Sequence, residues 1–280
     1  MNQSIKVLLA APSYDGRYDV RFMDSLINTM TLCTQHNIEI LPYFLCYDSL
    51  VQRVRNDYFR VAYQSGVDVL FFIDSDIGWN PDDFVKLVLS DKDLIGGTYR
   101  KKTDDEELYA FKALGEHTDD FVLTPNTQGI LEVAGLGCGF LKLSSKCVKI
   151  LHENESTYYV AENEVGQSQI TKNICECVVD KERHFVSEDI VICSKWQQLG
   201  GKVYLDTNIS LIHVGVKSYS GSVKNWLKNW KLKISTQKNM EDLNKTLDSL
   251  NKSSKSTKSG DIDYDSIIKQ RDEDDIFRVL

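Results

Sequence analysis

The sequence predicts an α/β protein with a doubly wound, mostly parallel central sheet, a small antiparallel addition and a C-terminal helical appendage. Over about the first hundred residues, short apolar runs typical of buried strands alternate with stretches of helical periodicity. Residues 108–143 then combine short strand-like runs with five glycines, a pattern that favours hairpins. From residue 218 on, tryptophans and leucines stand among lysines, which indicates an amphipathic helix outside the sheet.

Local signals place each element of this alternation. The early strands are predicted at 5–11, 38–45, 69–73 and 93–98, and the early helices at 20–35 and 49–65, the second ended by Gly66. A third helix begins at Asn80, because an N-cap side chain, a proline and two acids favour a helix start there. The later elements are a helix over 144–153, a polar loop over 154–173, a helix over 187–199 and strands at 203–205 and 209–214.

The composition is that of a folded protein with a sizeable core. Hydrophobic residues make up 42% and charged residues 26% of the 280 residues. The net charge of −8 argues against a general nucleic-acid binder, whose surface would be basic. The odd number and the scatter of the seven cysteines favour buried free thiols. Because the sequence shows no signal-peptide or transmembrane pattern, we expect a cytoplasmic protein.

The sequence divides into three parts. We assign residues 1–220 to the main domain, 221–250 to the amphipathic helical appendage, and 251–280 to a low-complexity linker with an acidic tail. A helix that packs on the protein or on a partner explains the appendage, and contact of its lysines with a membrane surface is the alternative.

Two carboxylates, Asp74 and Asp76, follow the most apolar predicted strand and are separated by Ser75. Alternate residues of an extended chain point the same way, so both acids can face one point beyond the strand's carboxyl end, where open α/β sheets bind ligands. Converging carboxylates repel each other unless a proton or a cation lies between them, and oxygen ligands suit Mg²⁺ or Mn²⁺. The pattern indicates a metal site, with a solvated Asp-rich turn as the alternative.

Several motifs in this order resemble those of glycosyltransferases of the GT-A fold, most closely the compact forms common in large viruses and phages. The resemblance covers roughly residues 5–216 and centres on Asp74-Ser75-Asp76. This segment stands where the family's D-x-D motif holds a divalent metal on the diphosphate of a nucleotide sugar. The resemblance implies Mn²⁺ or Mg²⁺ as the cofactor, with Asp74, Asp76 and His213 as the metal ligands.

The same resemblance implies roles for other residues. Asp189, with Glu188 as the second choice, would be the base that takes the proton of the acceptor hydroxyl. Acids are favourable in the first turn of any helix, so a purely structural role is the alternative for both. The residues implied to bind the donor are Pro12, Ser13, Tyr14, Arg55, Asn56, Asp74, Ser75, Arg100, Lys101 and Gly139, although Arg55 could instead pair with Asp48 or Asp57 on the surface.

The expected reaction is transfer of a sugar from a nucleoside-diphosphate sugar, with UDP as the expected nucleotide, to a glycan or glycoprotein acceptor. A viral member of this family would act in the host cytoplasm or the virion. One alternative is a nucleotidyltransferase that makes nucleotide sugars, but residues 12–16 lack the glycine-rich basic loop that it needs. A second alternative is a non-catalytic binding protein of the same fold. The polar insertion at 154–180 has no counterpart in the family, and we expect an acceptor loop or lid there.

Overall fold

The computed structural model describes residues 4–104, 106–115, 123–162, 168–230, 240 and 244–245. In this part of the chain the helices are α1 (Val20–Gln35), α2 (Val51–Ser65), α3 (Pro81–Val88), α4 (Ser145–Asn154) and α5 (Glu188–Gln198). The strands are β1 (Ile5–Ser13), β2 (Ile38–Cys46), β3 (Val69–Ile73), β4 (Ile77–Gly78), β5 (Leu94–Gly96), β6 (Phe111–Lys112), β7 (Ile130–Val133), β8 (Gly135–Leu136), β9 (Phe140–Ser144), β10 (Thr157–Glu162), β11 (Ser168–Lys172), β12 (Val178–Val179), β13 (Phe185–Val186), β14 (Val203–Asp206), β15 (Ile212–Val214) and β16 (Ser218–Ser220).

The chain divides into a unit of residues 1–224, which holds all these elements, and a second unit from residue 225. Residues 223–230 are helical. Most of the predicted appendage at 221–250, and all of the predicted linker and tail at 251–280, lie outside the described residues.

Seven strands form the central sheet, in the order β2-β1-β3-β9-β5-β14-β7. β1 is parallel to both β2 and β3, and β14 is parallel to β5. β9 runs antiparallel between β3 and β5, and β7 is antiparallel to β14 at the edge. Small antiparallel sheets, such as β10-β11 and β16-β15-β4, surround this sheet. The predicted α/β class with a mostly parallel central sheet is therefore confirmed.

Helices cover both faces of the sheet, as the side chains of β3 show. The ring of Phe71 stacks on Phe84 of α3 at a centroid distance of 4.4 Å, whereas Phe72 contacts Phe59 of α2 at 5.7 Å. Neighbouring residues of a strand point to opposite faces, so α3 and α2 lie on opposite sides. All five residues of β3 are buried, as expected for a central strand covered on both faces.

Capping residues explain why the helix predictions agree with the structure. Asn80 accepts a hydrogen bond from the amide of Asp82 at the start of α3, and Ser144 accepts one from the amide of Cys147 at the start of α4. Gly66 ends α2 in the left-handed conformation, with φ of 61°, which favours glycine.

Residues 108–143 include the predicted antiparallel addition, in which β6 pairs with β8, but they also contribute a strand to the middle of the central sheet. β9 enters the middle of the sheet, and its residue Lys142 is buried. The ammonium group of Lys142 donates to the carbonyl oxygens of Ser90 and Lys92, at 3.0 and 2.6 Å. These bonds compensate for burying a charge in a central strand.

The predicted polar loop at 154–173 is also wrong, because β10 and β11 pair there as an antiparallel hairpin. The hairpin contacts α2 on one face, where Thr171 is buried and donates to the carbonyl oxygen of Asn56. Its other face is open to solvent: Tyr159 and Ile170 are exposed. A ribbon with one solvent face can have the polar composition of a loop.

All seven cysteines are free thiols, and five of them are buried. None of the helices in the described ranges has the length and apolar character needed to cross a bilayer.

Asp83, in the first turn of α3, gives a prediction for the pH dependence of stability. Burial raises the pKa of Asp83 to about 6, with Asp206 adding to the rise and Lys86 opposing it. The folded-state pKa thus exceeds the value of about 3.9 in an unfolded chain, so the folded state binds more protons and stability falls as pH rises from about 4 to about 6.

The substitution Asp83→Asn should therefore improve stability relative to wild type more at about pH 7.5 than at about pH 4.5. We expect a difference of about 1 kcal/mol between the two pH values, after allowing for partial exposure. Urea unfolding at both pH values measures it, with Asp82→Asn, an exposed acid of the same turn, as the control. An effect of Asp83→Asn that is equal at both pH values would contradict the prediction.

Candidate functional site

A cavity of about 540 Å³ opens where β1, β2 and β3 reach their carboxyl ends. Parallel strands bring their carboxyl ends to one edge of a sheet, and ligands bind at this edge in open α/β folds. The sequence-predicted residues that line the cavity are Pro12, Ser13, Tyr14, Arg55, Asp74, Ser75, Asp76 and His213.

Backbone hydrogen bonds hold the turn between β3 and β4 in place. The amide of Asp74 donates to the carbonyl oxygen of Gly139 at 3.2 Å. The amide of Ile77 donates to the carbonyl oxygen of Asp74 at 3.1 Å. The amide of Asp19, the residue that caps α1, donates to the carbonyl oxygen of Ser75 at 2.9 Å. The two carboxylates therefore project from a backbone that is fixed on both sides.

Arg55 is the buried cation that joins two of the site's acids. Its side chain is 6% exposed, and its Nη2 donates to Asp74 Oδ1 at 3.0 Å while its Nη1 donates to Glu188. The structure thus excludes a surface ion pair of Arg55 with Asp48 or Asp57. Those two acids pair with Arg53 and Arg60 instead.

The Arg55 guanidinium keeps one donor without a partner. Its Nε is buried and makes no hydrogen bond to any residue that the structure describes. A buried donor in this state lowers stability, which the two ion pairs of the same guanidinium offset.

His213 faces Asp76 with a defined tautomer. His213 Nδ1 lies 2.9 Å from the carbonyl oxygen of Arg100. Only a protonated nitrogen can donate to a carbonyl group, so this bond places the hydrogen of the neutral ring on Nδ1 and leaves a lone pair on Nε2. Nε2 lies 3.6 Å from Asp76 Oδ2, and two acceptors at this distance call for a cation or a proton between them.

The charges around the turn separate the two aspartates. Burial acts to raise the pKa of Asp76, but Lys102 and, when a proton occupies Nε2, the hydrogen bond and charge of His213 outweigh it and hold this pKa below its usual value. Burial raises the pKa of Asp74, and the nearby Asp76 adds to the rise although Arg55 opposes it. Asp76 is therefore the acid that stays ionised most readily, as a metal ligand must.

The residues present fit a divalent cation at Asp76 and His213. Asp76 and His213 offer a carboxylate oxygen and an imidazole nitrogen whose other nitrogen is held by a carbonyl group, the usual support of a metal-bound histidine. Among the described residues, one group of three side chains places its metal-ligating atoms within 4.8 Å of one another. It consists of Asp180, Glu182 and His184, on the turn between β12 and β13. Asp74 does not form such a group with Asp76 and His213, and its carboxylate is bound to Arg55.

Gly139 lies where no side chain fits. A Cβ atom there would lie 2.5 Å from Tyr99 Cε1 and 3.0 Å from Asp74 Oδ2. The ring of Tyr99, which lines the cavity, also contacts the imidazole of His213 at a centroid distance of 4.8 Å. Gly139 therefore lets Tyr99 pack between the Asp74 turn and His213, a role in packing next to the site.

Glu188 and Asp189 lie in the first turn of α5, and neither lines the cavity. Glu188 is bound to Arg55, and Asp189 accepts through Oδ1 from the hydroxyl of Ser187 and, at 2.8 Å, from the amide of Ile190. The Ser187 side chain makes no cap bond to the helix backbone, and the carboxylate of Asp189 is the group that accepts from a first-turn amide of α5.

Arg100 and Lys101 lie beside the site and do not line the cavity. The Arg100 carbonyl oxygen orients His213, which is a backbone role that its side-chain type does not reveal. Burial lowers the pKa of Lys101, and Asp189 opposes this shift. Lys101 and Asp189 therefore share one electrostatic environment.

Asn56 points away from the cavity. Its side-chain amide donates to the carbonyl oxygen of Cys175 at 3.0 Å and accepts from the amide of Cys175 at 2.7 Å. It also donates to the hydroxyl of Tyr158 at 3.3 Å. Asn56 thus fastens the inserted segment to α2, and its side chain does not line the cavity.

Sequence reasoning missed the side of the cavity formed by the end of β2 and the start of α2. These lining residues are Leu45, Asp48, Ser49, Val51, Gln52 and Val54. The rule that singled out Asp74, a polar residue just after a parallel strand, applies equally to Asp48 after β2.

Comparisons with known proteins assign no family. No protein-family model matches the sequence, and a search of the curated proteins found no significant match. Among solved structures, protein A197 from STIV is similar with a TM-score of 0.45 and 16% identity, over 75% of this chain and 86% of that chain. A glycosyltransferase involved in the glycosylation of the major capsid of PBCV-1 is similar with a TM-score of 0.28 and 10% identity, over 51% of this chain and 62% of that chain. The function therefore has to be inferred from the residues of the site.

The substitution Arg55→Gln should destabilise the protein strongly, because it leaves the carboxylates of Asp74 and Glu188 without their buried cation. We expect a loss of about 3–5 kcal/mol in the free energy of unfolding. Arg53→Gln on the same helix is the matched control: its ion pair with Asp48 is 48% exposed on the arginine side and should cost at most about 1 kcal/mol. Urea unfolding compares the two, and equal losses would refute the assigned role of Arg55.

The substitution Gly139→Ala should cost about 1–3 kcal/mol, because the added methyl group overlaps the ring of Tyr99. A double-mutant cycle with Tyr99→Leu measures this interaction through urea unfolding. Removing the ring should relieve part of the cost of the alanine. Additive losses would show that Tyr99 is not what excludes a side chain at this position.

Proposed function

We propose that this protein is a metal-dependent glycosyltransferase that moves a sugar from a nucleoside-diphosphate sugar to a glycan or glycoprotein acceptor. The observation that carries the proposal is the pair of Asp76 and His213. An ionised carboxylate and an oriented imidazole nitrogen face each other at 3.6 Å in the wall of the cavity. One oxygen and one nitrogen ligand suit Mn²⁺, with Mg²⁺ as the alternative cofactor.

A divalent cation bound there would act as a Lewis acid and stabilise negative charge on the departing diphosphate. Asp76 and His213 would hold it. Asp74 is kept in place by Arg55, and its carboxylate is suited to accept a hydrogen bond from a ribose hydroxyl of the donor.

The cavity supports a nucleotide-sized donor. Its volume of about 540 Å³ lies in the usual range for small-molecule sites, about 300–1,000 Å³. Apolar walls from Pro12, Leu45 and Val51 face polar groups from Ser49 and Gln52. Such a mixture suits the flat, partly polar base and ribose of a nucleoside, and we retain UDP as the expected nucleotide.

The acceptor hydroxyl needs a base, and we assign this role to Asp189. The carboxylate of Glu188 is bound to the buried Arg55, and this ion pair restrains it and makes it a weaker base. Asp189 is held through Oδ1, so Oδ2 is the oxygen that we assign to the acceptor proton. The insertion that Asn56 fastens beside this helix start is the proposed acceptor loop.

The substitution Asp76→Ala tests the proposal in a panel of nucleotide sugars with and without Mn²⁺. Wild type should bind or hydrolyse one of them in a Mn²⁺-dependent manner. Loss of a metal ligand should weaken Mn²⁺-dependent binding by at least about tenfold, and His213→Ala should act in the same direction. Calorimetry gives the affinities, and release of the free sugar gives the activity.

Asp180→Ala is the matched control, because Asp180 belongs to the other described group of metal-ligating side chains. This variant should bind the donor as wild type does. Metal-independent behaviour of every nucleotide sugar, or full retention of Mn²⁺-dependent binding in Asp76→Ala, would reject the proposed function.

A further inference from the structure

Lys102 brings a third charged group to the Asp76–His213 pair. Its Nζ lies 2.5 Å from Asp76 Oδ2, the same carboxylate oxygen that faces His213 Nε2 at 3.6 Å. A divalent cation between Oδ2 and Nε2 and the ammonium of Lys102 would therefore compete for one oxygen. Two cations at such a distance repel each other, so the site accommodates one of them at a time.

The loop that carries Lys102 is fastened beside the site. Arg100 and Tyr109 form an antiparallel bridge at its base, and the amide of Lys101 donates to the carbonyl oxygen of Leu108 at 2.8 Å. Farther along, Asp104 pairs with Lys217, between β15 and β16, at 2.5 Å. The loop thus holds the Lys102 backbone near Asp76.

The path of the Lys102 side chain crosses Gly215. A Cβ atom at Gly215 would lie 3.0 Å from Lys102 Cδ and 3.4 Å from Cε, so the absence of a side chain there gives the lysine its room. The side chains of Lys102 and Asp76 are 37% and 36% exposed. An ion pair this open to water is weak, and its ammonium can exchange with a more strongly bound cation.

We infer that Lys102 is the counter-ion of Asp76 in the metal-free protein, and that a divalent cation binds at Asp76 by displacing the Lys102 ammonium. The inference rests on the proposed function, because it takes the Asp76–His213 pair as the metal site. It adds a residue that regulates occupancy of that site: Lys102 keeps the carboxylate neutralised without metal and lowers the affinity for metal.

The experiment measures the dissociation constant of Mn²⁺ alone, by electron paramagnetic resonance of the free ion, for wild-type protein and Lys102→Gln. Removing the competing ammonium should tighten Mn²⁺ binding by about fivefold, the factor for an exposed ion pair. Lys102→Arg keeps the charge and should bind close to wild type. Lys112→Gln, which removes an exposed lysine on β6, controls for the change in net charge.

Asp76→Ala identifies the site in the same measurement. Tighter binding in Lys102→Gln that is lost in the double variant Asp76→Ala, Lys102→Gln supports the inference. Equal or weaker binding in Lys102→Gln, with Mn²⁺ binding still dependent on Asp76, overturns the role of Lys102 and leaves the proposed function standing. Absence of Asp76-dependent binding in both wild type and Lys102→Gln overturns the metal site and the inference together.

Discussion

Three carboxylates, those of Asp74, Asp76 and Glu188, come together at one edge of the central sheet, and their mutual repulsion is the constraint that the neighbouring residues satisfy. The buried guanidinium of Arg55 binds two of them, and the Lys102 ammonium binds the third. Buried or half-buried like charges are tolerated only with such compensation. The difference between the two cations is exposure: Arg55 is enclosed, whereas Lys102 is open to solvent. The enclosed ion pairs of Arg55 are suited to stabilising the fold, and the exposed pair of Lys102 with Asp76 is suited to exchange with another cation.

The site is assembled from distant parts of the chain. Arg55 comes from α2 and Glu188 from the first turn of α5, 133 positions later. His213 lies on β15, which pairs with β4 next to the Asp76 turn, and its ring is oriented by a backbone carbonyl group. The charged groups of the site are thus held by elements that are distant in sequence. Binding at the site should therefore depend on the integrity of the whole sheet.

Sequence reasoning worked where the structure is determined locally. The helices follow from Asn80, Ser144 and Gly66, whose side chains or backbone freedom decide where a helix begins or ends. The aspartates of the turn after β3 were found because strand ends of an open α/β sheet share one edge. The pairing of β9 was not predictable in this way, because its partners lie far away in sequence and its buried Lys142 makes the segment look half-exposed.

The site was predicted only as far as residue type allows. Arg55 and Asn56 are neighbours on α2, yet one lines the cavity and the other holds Cys175 of the insertion. A helix turns by about 100° per residue, so adjacent side chains diverge, and only the packing of α2 shows which one faces the ligand. Among Arg100, Lys101 and Lys102 the choice is equally hidden, since it depends on the path of the loop past Gly215.

The most direct test is the position of Mn²⁺ in crystals of the protein grown or soaked with the ion, located by its anomalous scattering. The ion should lie between Asp76 Oδ2 and His213 Nε2, bound at about 2.0–2.3 Å, with the Lys102 ammonium moved off Asp76. An ion found only at Asp180, Glu182 and His184, with Asp76 still bound to Lys102, would contradict the assignment of this edge of the sheet as a metal-dependent active site.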